Sequence, residues 1–126
     1  MLSFSFVHNC LHVLDLDRSI AFYHEALGLL EARRKEGRGK TFVYLSDGRS
    51  GHELELIFVH DRTAPYDLGE NEIHLAFAVD NIAAAHMLHE QMNCICHELP
   101  DKEVYFISDP DGYWTEILPS DHENLR

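Results

Sequence analysis

The order of apolar and polar positions predicts the same run of elements twice along the 126 residues. Phe4, Phe6 and His8 alternate with Ser3 and Ser5, and Leu11 and Val13 extend the pattern, so Met1–Leu14 is expected as a strand. Asp17 is expected to cap a helix in which Ile20, Tyr23 and Leu27 recur at helical spacing, and Gly28 stands where a left-handed C-cap is wanted. Leu29–Arg33 predicts a short strand that leads into a basic loop over Arg34–Lys40. Thr41–Leu45 and Glu53–Val59 then predict two strands joined by a turn at Asp47–Gly51.

After the polar, Pro- and Gly-containing stretch that follows, Ile73–Val79 predicts a strand. Asp80 or Asn81 is expected to cap a second helix with Ile82, Ala85, Leu88 and Met92 on its apolar side. Cys94–Glu98 predicts a short strand, and Glu103–Ile107 with Tyr113–Leu118 predicts a hairpin around the turn Asp109-Pro110-Asp111-Gly112. Residues 119–126 read as a polar tail. The expected fold is α+β, with two tandem βαβββ modules. The modules are placed at about 1–60 and 72–118, with a linker at 61–71, in a single domain 1–126.

The repeat extends to chemistry. Ser46-Asp47 and Ser108-Asp109 each end an apolar strand, and an acid follows in the next strand, Glu55 in one copy and Glu116 in the other. His8 and His74 each lie five residues before a valine that closes the first strand of a copy, Val13 and Val79. The separations are close, 47 residues from His8 to Glu55 and 42 from His74 to Glu116. A carboxylate among apolar strand neighbours must be paired, hydrated or bound to a cation. Taken singly, a strand histidine is a hydrogen-bonded rim residue and a strand glutamate a solvated acid. The duplication sets against that the alternative of two half-sites with two nitrogens and two oxygens, a donor set suited to a divalent ion such as Zn, Ni, Co, Fe or Mn.

Composition narrows the classes. A net charge of −12 argues against nucleic acid and anionic membranes, which demand basic surfaces. Neither a signal-like start nor an apolar run long enough for a membrane span is evident. Three cysteines, Cys10, Cys94 and Cys96, are an odd count that argues for reduced thiols and a cytoplasmic location over a disulfide framework. The remaining histidines do not share the His–Glu pairing, and His86 and His89, three apart on the second helix, are expected to be solvated.

With these residues in view, the chain resembles the vicinal oxygen chelate superfamily, and within it glyoxalase I (lactoylglutathione lyase). The resemblance spans nearly the whole chain. It is most specific at Leu14-Asp15-Leu16-Asp17-Arg18-Ser19-Ile20-Ala21-Phe22-Tyr23, at Ala26-Leu27-Gly28 and at Asp109-Pro110-Asp111-Gly112-Tyr113-Trp114. It implies that the two modules form a curved mixed β-sheet around a metal site, with His8, Glu55, His74 and Glu116 as metal ligands, Glu116 as proton-transfer base and Glu55 assisting. One divalent ion per site is implied, Ni or Co in preference to Zn, with glutathione or another thiol as co-substrate and a homodimer as the assembly. The implied reaction isomerises the hemithioacetal of methylglyoxal and a thiol to an S-2-hydroxyacyl thioester through a metal-bound enediolate. Extradiol dioxygenases of the superfamily use two His and one Glu, methylmalonyl-CoA epimerases usually carry Gln at the position of Glu55, and bleomycin-binding members lack the ligands.

Three positions depart from the glutathione-dependent pattern. His12 and Val59 stand where arginine and asparagine are common, and Glu70 where some members have arginine. The expected partner is a small molecule, with its contact residues unassigned. The alternatives are a related metal-dependent isomerase or epimerase on another vicinal-oxygen substrate, or a non-catalytic binder of the same fold.

Overall fold

The computed structural model describes residues 1–121, and it divides them into two compact units, Met1–Tyr66 and a second beginning at Asp67. The first unit runs β1 (His8–Val13), α1 (Leu16–Leu27), β2 (Leu30–Gly37), β3 (Lys40–Ser46) and β4 (Glu53–Val59). The second runs β5 (Leu75–Val79), α2 (Ile82–Gln91), β6 (Ile95–Leu99), a single 3-10 turn at Pro100–Lys102, β7 (Val104–Ser108) and β8 (Trp114–Pro119). Each is therefore a βαβββ module, and the fold is α+β. The tail expected at 119–126 begins inside β8, and its residues 122–126 lie outside the described part.

Each module forms one mixed four-stranded sheet, in the order β1-β4-β3-β2 in the first and β5-β8-β7-β6 in the second. The first strand of each module pairs parallel with the last, and the remaining pairs are antiparallel. Strand alternation then separates two faces. In the first sheet Val13, Val43, Leu45, Leu54 and Leu56 are at most 4% exposed, and with Leu16, Tyr23, Ala26 and Leu29 from α1 and its exit they make the core. The opposite face carries His8, Cys10, Tyr44 and Glu55. In the second unit Tyr105, Ile107, Thr115 and Ile117 are at most 2% exposed and share their face with His89 of α2.

Several local expectations are corrected. The first strand begins at His8 rather than Met1, because β4 begins at Glu53, the register partner of His8, and offers no earlier strand residue to pair with. Phe4 and Phe6 are consequently 91% and 80% exposed. The N-cap of α1 is Asp15, not Asp17: its side chain accepts from the Arg18 backbone N–H at 3.1 Å. Gly28 does take the left-handed C-cap, φ 70°.

The basic stretch expected as a loop is mostly strand. β2 continues to Gly37, with all eight residues exposed, because an edge strand needs only the backbone bonds of β3. Asn81 caps α2 by accepting from the Ala84 N–H at 3.0 Å. The expected apolar stripe on α2 is buried only in part: Ile82, Ala85 and Met92 are half-buried on the side that centres on His89, 2% exposed, whereas Leu88 is 37% exposed. His89 is held by the Tyr105 hydroxyl, 2.7 Å from Nδ1, so it is a core residue rather than a solvated one.

Candidate active site

Both sequence-predicted pairs assemble, each within its own unit. His8 Nε2 lies 3.4 Å from Glu55 Oε1, and His74 Nε2 lies 3.5 Å from Glu116 Oε1. Sheet register explains the match. Glu55 pairs with Cys10 across β1, two residues after His8, and Glu116 pairs with Ala76 across β5, two residues after His74. The histidine and the glutamate of each pair thus emerge on one face, one pleat apart.

These separations exceed the usual hydrogen-bond range, so neither side chain is committed to the other. Two donors each about 2.1 Å from a common ion stand about 3.0 to 3.4 Å apart for right-angle to tetrahedral coordination. The spacing and the nitrogen–oxygen chemistry of both pairs fit a divalent cation of borderline hardness. Within each unit, no third His, Cys, Asp or Glu among the described residues completes a metal-binding group.

The two carboxylates sit in different surroundings. The Glu55 side chain is 10% exposed, and its second oxygen, Oε2, accepts from the Tyr44 hydroxyl at 2.5 Å. That bond, together with burial, holds the Tyr44 phenol above its ordinary value. The neighbouring Cys10 thiol is pushed up to about 11, first by burial and then by the charge and hydrogen bonding of Glu55. The Glu116 side chain is 23% exposed, and His74 is the only side chain among the described residues that the structure pairs with it. Phe106 occupies its register position, the place Tyr44 has opposite Glu55.

The correspondence runs across both sheets. A bulge in β2 between Glu31 and Arg33 brings Arg33 opposite Tyr44, and a bulge in β6 between Ile95 and His97 brings His97 opposite Phe106. The first sheet therefore carries the row Arg33, Tyr44, Glu55, Cys10, and the second His97, Phe106, Glu116, Ala76. Arg33 lies 3.8 Å above the Tyr44 ring and donates to Glu53 at 2.7 Å. His97 stacks on Trp114 at 5.8 Å, and Trp114 is 5.4 Å from Phe106. Each site histidine meets its module's ring edge-on, His8 with Tyr44 at 5.8 Å and His74 with Phe106 at 5.0 Å.

Nothing local in the sequence marks Tyr44 and Arg33, because their place depends on hairpin register and on a bulge. The one available signal was the hairpin itself: the turn at Asp47–Gly51 fixes which β3 residue faces Glu55. His12 shares the site face of β1, its ring 5.5 Å from that of Tyr66. Val59 ends β4, and Glu70 is exposed, its backbone N–H donating to Glu72.

The chain matches the Glyoxalase/Bleomycin resistance protein/Dioxygenase superfamily over residues 5–117. It is 34% identical to a probable lactoylglutathione lyase of Vibrio parahaemolyticus, over 89% of this chain and 88% of that one. The lactoylglutathione lyase of Neisseria meningitidis is also 34% identical, at the same coverage. Among solved structures, the trypanothione-dependent glyoxalase I of Leishmania major superposes with a TM-score of 0.85 and 30% identity, over 97% of this chain and 91% of that one. The chain belongs to the Glyoxalase/Bleomycin resistance protein/Dioxygenase superfamily, with glyoxalase I-like lyases among its relatives.

Proposed function

We propose that this chain is a metal-dependent glyoxalase I-type lyase that isomerises the hemithioacetal of methylglyoxal and a thiol to the S-2-hydroxyacyl thioester. The observation that carries the reading is the repeated His–Glu pair, set at matching register on the helix-free face of each module, in a chain whose relatives are lactoylglutathione lyases. His8, Glu55, His74 and Glu116 are the ligands of the divalent ion, nickel or cobalt in preference to zinc. Modules 1–60 and 72–118 work as a single domain 1–126, and two copies form a homodimer. Leu2 and Phe4, 87% and 91% exposed in the single chain, offer apolar surface for a second copy to cover.

A bound ion would supply Lewis acidity toward the two adjacent oxygens of the hemithioacetal, making the C–H between sulfur and hydroxyl more acidic. Glu116 takes that proton and returns it to the neighbouring carbon, so hydroxyl and carbonyl exchange places with no atom gained or lost. Glu116 suits the task because it is the more exposed carboxylate and is not tied to a tyrosine. Glu55, accepting from Tyr44, stays in place and assists. His8 and His74 act as neutral imidazole donors, oriented by the rings they meet edge-on.

The thiol is glutathione or a relative of it. His12, Val59 and Glu70 lack the positive charge and the amide that commonly grip the tripeptide, and the Leishmania major glyoxalase I is trypanothione-dependent, so the thiol varies among relatives. The same three positions favour a second reading, a metal-dependent isomerase or epimerase on another substrate with adjacent oxygens. Cys10, Cys94 and Cys96 stand as thiols, which fits a cytoplasmic enzyme, and no helix among the described residues is long and apolar enough to cross a membrane. Replacing Glu116 by Gln tests the assignment: the variant is expected to retain metal and to lose about 10²- to 10⁴-fold in isomerase turnover. Turnover close to that of the unaltered protein would refute it.

A further inference from the structure

The two modules act as controls for each other. At the register position facing the glutamate, the first module has Tyr44 and the second has Phe106, which differ by one hydroxyl group. The hydroxyl is not idle: it donates to Glu55 Oε2 at 2.5 Å, while Oε1 is the oxygen turned to His8. Tyr44 is 5% exposed and Glu55 8%, so water competes little for that bond. The tyrosine ring is itself fixed, with the Arg33 guanidinium 3.8 Å above it and Arg33 anchored on Glu53. A Glu53–Arg33–Tyr44–Glu55 chain therefore leaves Oε1 of Glu55 one direction in which to point. Glu116 has no such support, since Phe106 and His97 fill the matching places.

The geometry points to Tyr44 as a positioning residue that fixes Glu55 as the stationary carboxylate and so divides labour between two glutamates that the repeat made equivalent. This rests on the proposed function, because it assigns Glu55 to holding the ion and leaves Glu116 to move the proton. An outer partner of a metal-ligating carboxylate orients it, and losing such a partner typically weakens metal binding about 10- to 100-fold. The hydroxyl is committed to Glu55 Oε2, so its effect is expected first in affinity for the ion, with turnover following from occupancy.

The experiment transposes the hydroxyl. Tyr44→Phe keeps the ring and removes the donor, and Phe106→Tyr adds a donor opposite Glu116. Zinc and nickel affinity, read by competition with a chromophoric chelator, is expected to fall about 10- to 100-fold in Tyr44→Phe. Phe106→Tyr is expected to bind the ions at least as well as the unaltered protein, yet to lose about tenfold or more in kcat with KM little changed, because its carboxylate is now restrained. Ultraviolet resonance Raman spectra provide a readout free of metal and activity: the Tyr44 doublet should report a strong donor that weakens in Glu55→Gln.

Unchanged metal affinity in Tyr44→Phe overturns the assignment of Tyr44, even if the unaltered protein isomerises the hemithioacetal. A protein that loses affinity in Tyr44→Phe but never turns over the hemithioacetal keeps Tyr44 as the residue that sets Glu55 and overturns the proposed activity instead.

Discussion

Replacing Tyr105 by Phe isolates one buried hydrogen bond and one pH effect. His89 and Tyr105 are each 2% exposed, and the bond between His89 Nδ1 and the phenol is 2.7 Å long. Phenylalanine fills the same ring volume, including the edge-on contact with His86 at 5.0 Å, so packing is kept and the hydroxyl alone is lost. Removing one partner of a buried polar pair costs about 1–3 kcal/mol. At about 2.1 cal/mol/K of unfolding entropy per residue, each kcal/mol lowers the melting midpoint of a chain this long by about 4 °C.

The same phenol sets an alkaline limb. Burial, then the nearby charges of Cys94 and Glu98, holds Tyr105 above its ordinary value, so the fold prefers the neutral phenol. Once the pH passes about 10, the unfolded chain releases a proton that the folded chain keeps, and stability falls as pH rises further. Tyr105→Phe has no such proton. The difference between the two proteins in urea unfolding should be about 1–3 kcal/mol at neutral pH and should narrow above about pH 10. Equal stability at neutral pH, or a gap that ignores alkaline pH, would refute the reasoning.

Two other substitutions have definite outcomes. Gly28→Ala should cost about 1 kcal/mol in urea unfolding, from the left-handed φ of 70° alone, since nothing lies within 4 Å of an added Cβ. An unaltered midpoint would contradict the C-cap account. His12→Arg should lower KM for the glutathione hemithioacetal with kcat nearly unchanged, because it adds a positive charge on the site face of β1. A KM that stays the same or rises would show that the tripeptide's carboxylates lie elsewhere.

What could be read in the sequence follows from the range of the interactions involved. β4 was legible end to end as Glu53–Val59, because turn residues bound it and Glu55 interrupts an apolar strand. The His–Glu pairs were legible because duplication places them by counting, and the register puts the two members of each on one face of their own sheet. Boundaries failed where two residues offered the same chemistry, as Asp15 and Asp17 did for the N-cap of α1. Strand β1 is shorter than its apolar pattern, because the alternation of Phe4 and Phe6 continues past the point where β4 can supply hydrogen bonds.

The buried His89 was hidden because its partner, Tyr105, is sixteen residues away on another element. Tyr44 was hidden for a related reason. Its role depends on facing Glu55 across a hairpin, and nothing local marks a tyrosine in an apolar strand as a donor.

The central claim meets its most direct test in one assay. Protein stripped of metal with a chelator and reloaded separately with nickel, cobalt or zinc is given the methylglyoxal–glutathione hemithioacetal, and thioester formation is followed by absorbance. The expected result is no thioester from the stripped protein and recovery on reloading, fastest with nickel or cobalt. Metal-loaded protein that forms no thioester would contradict the claim.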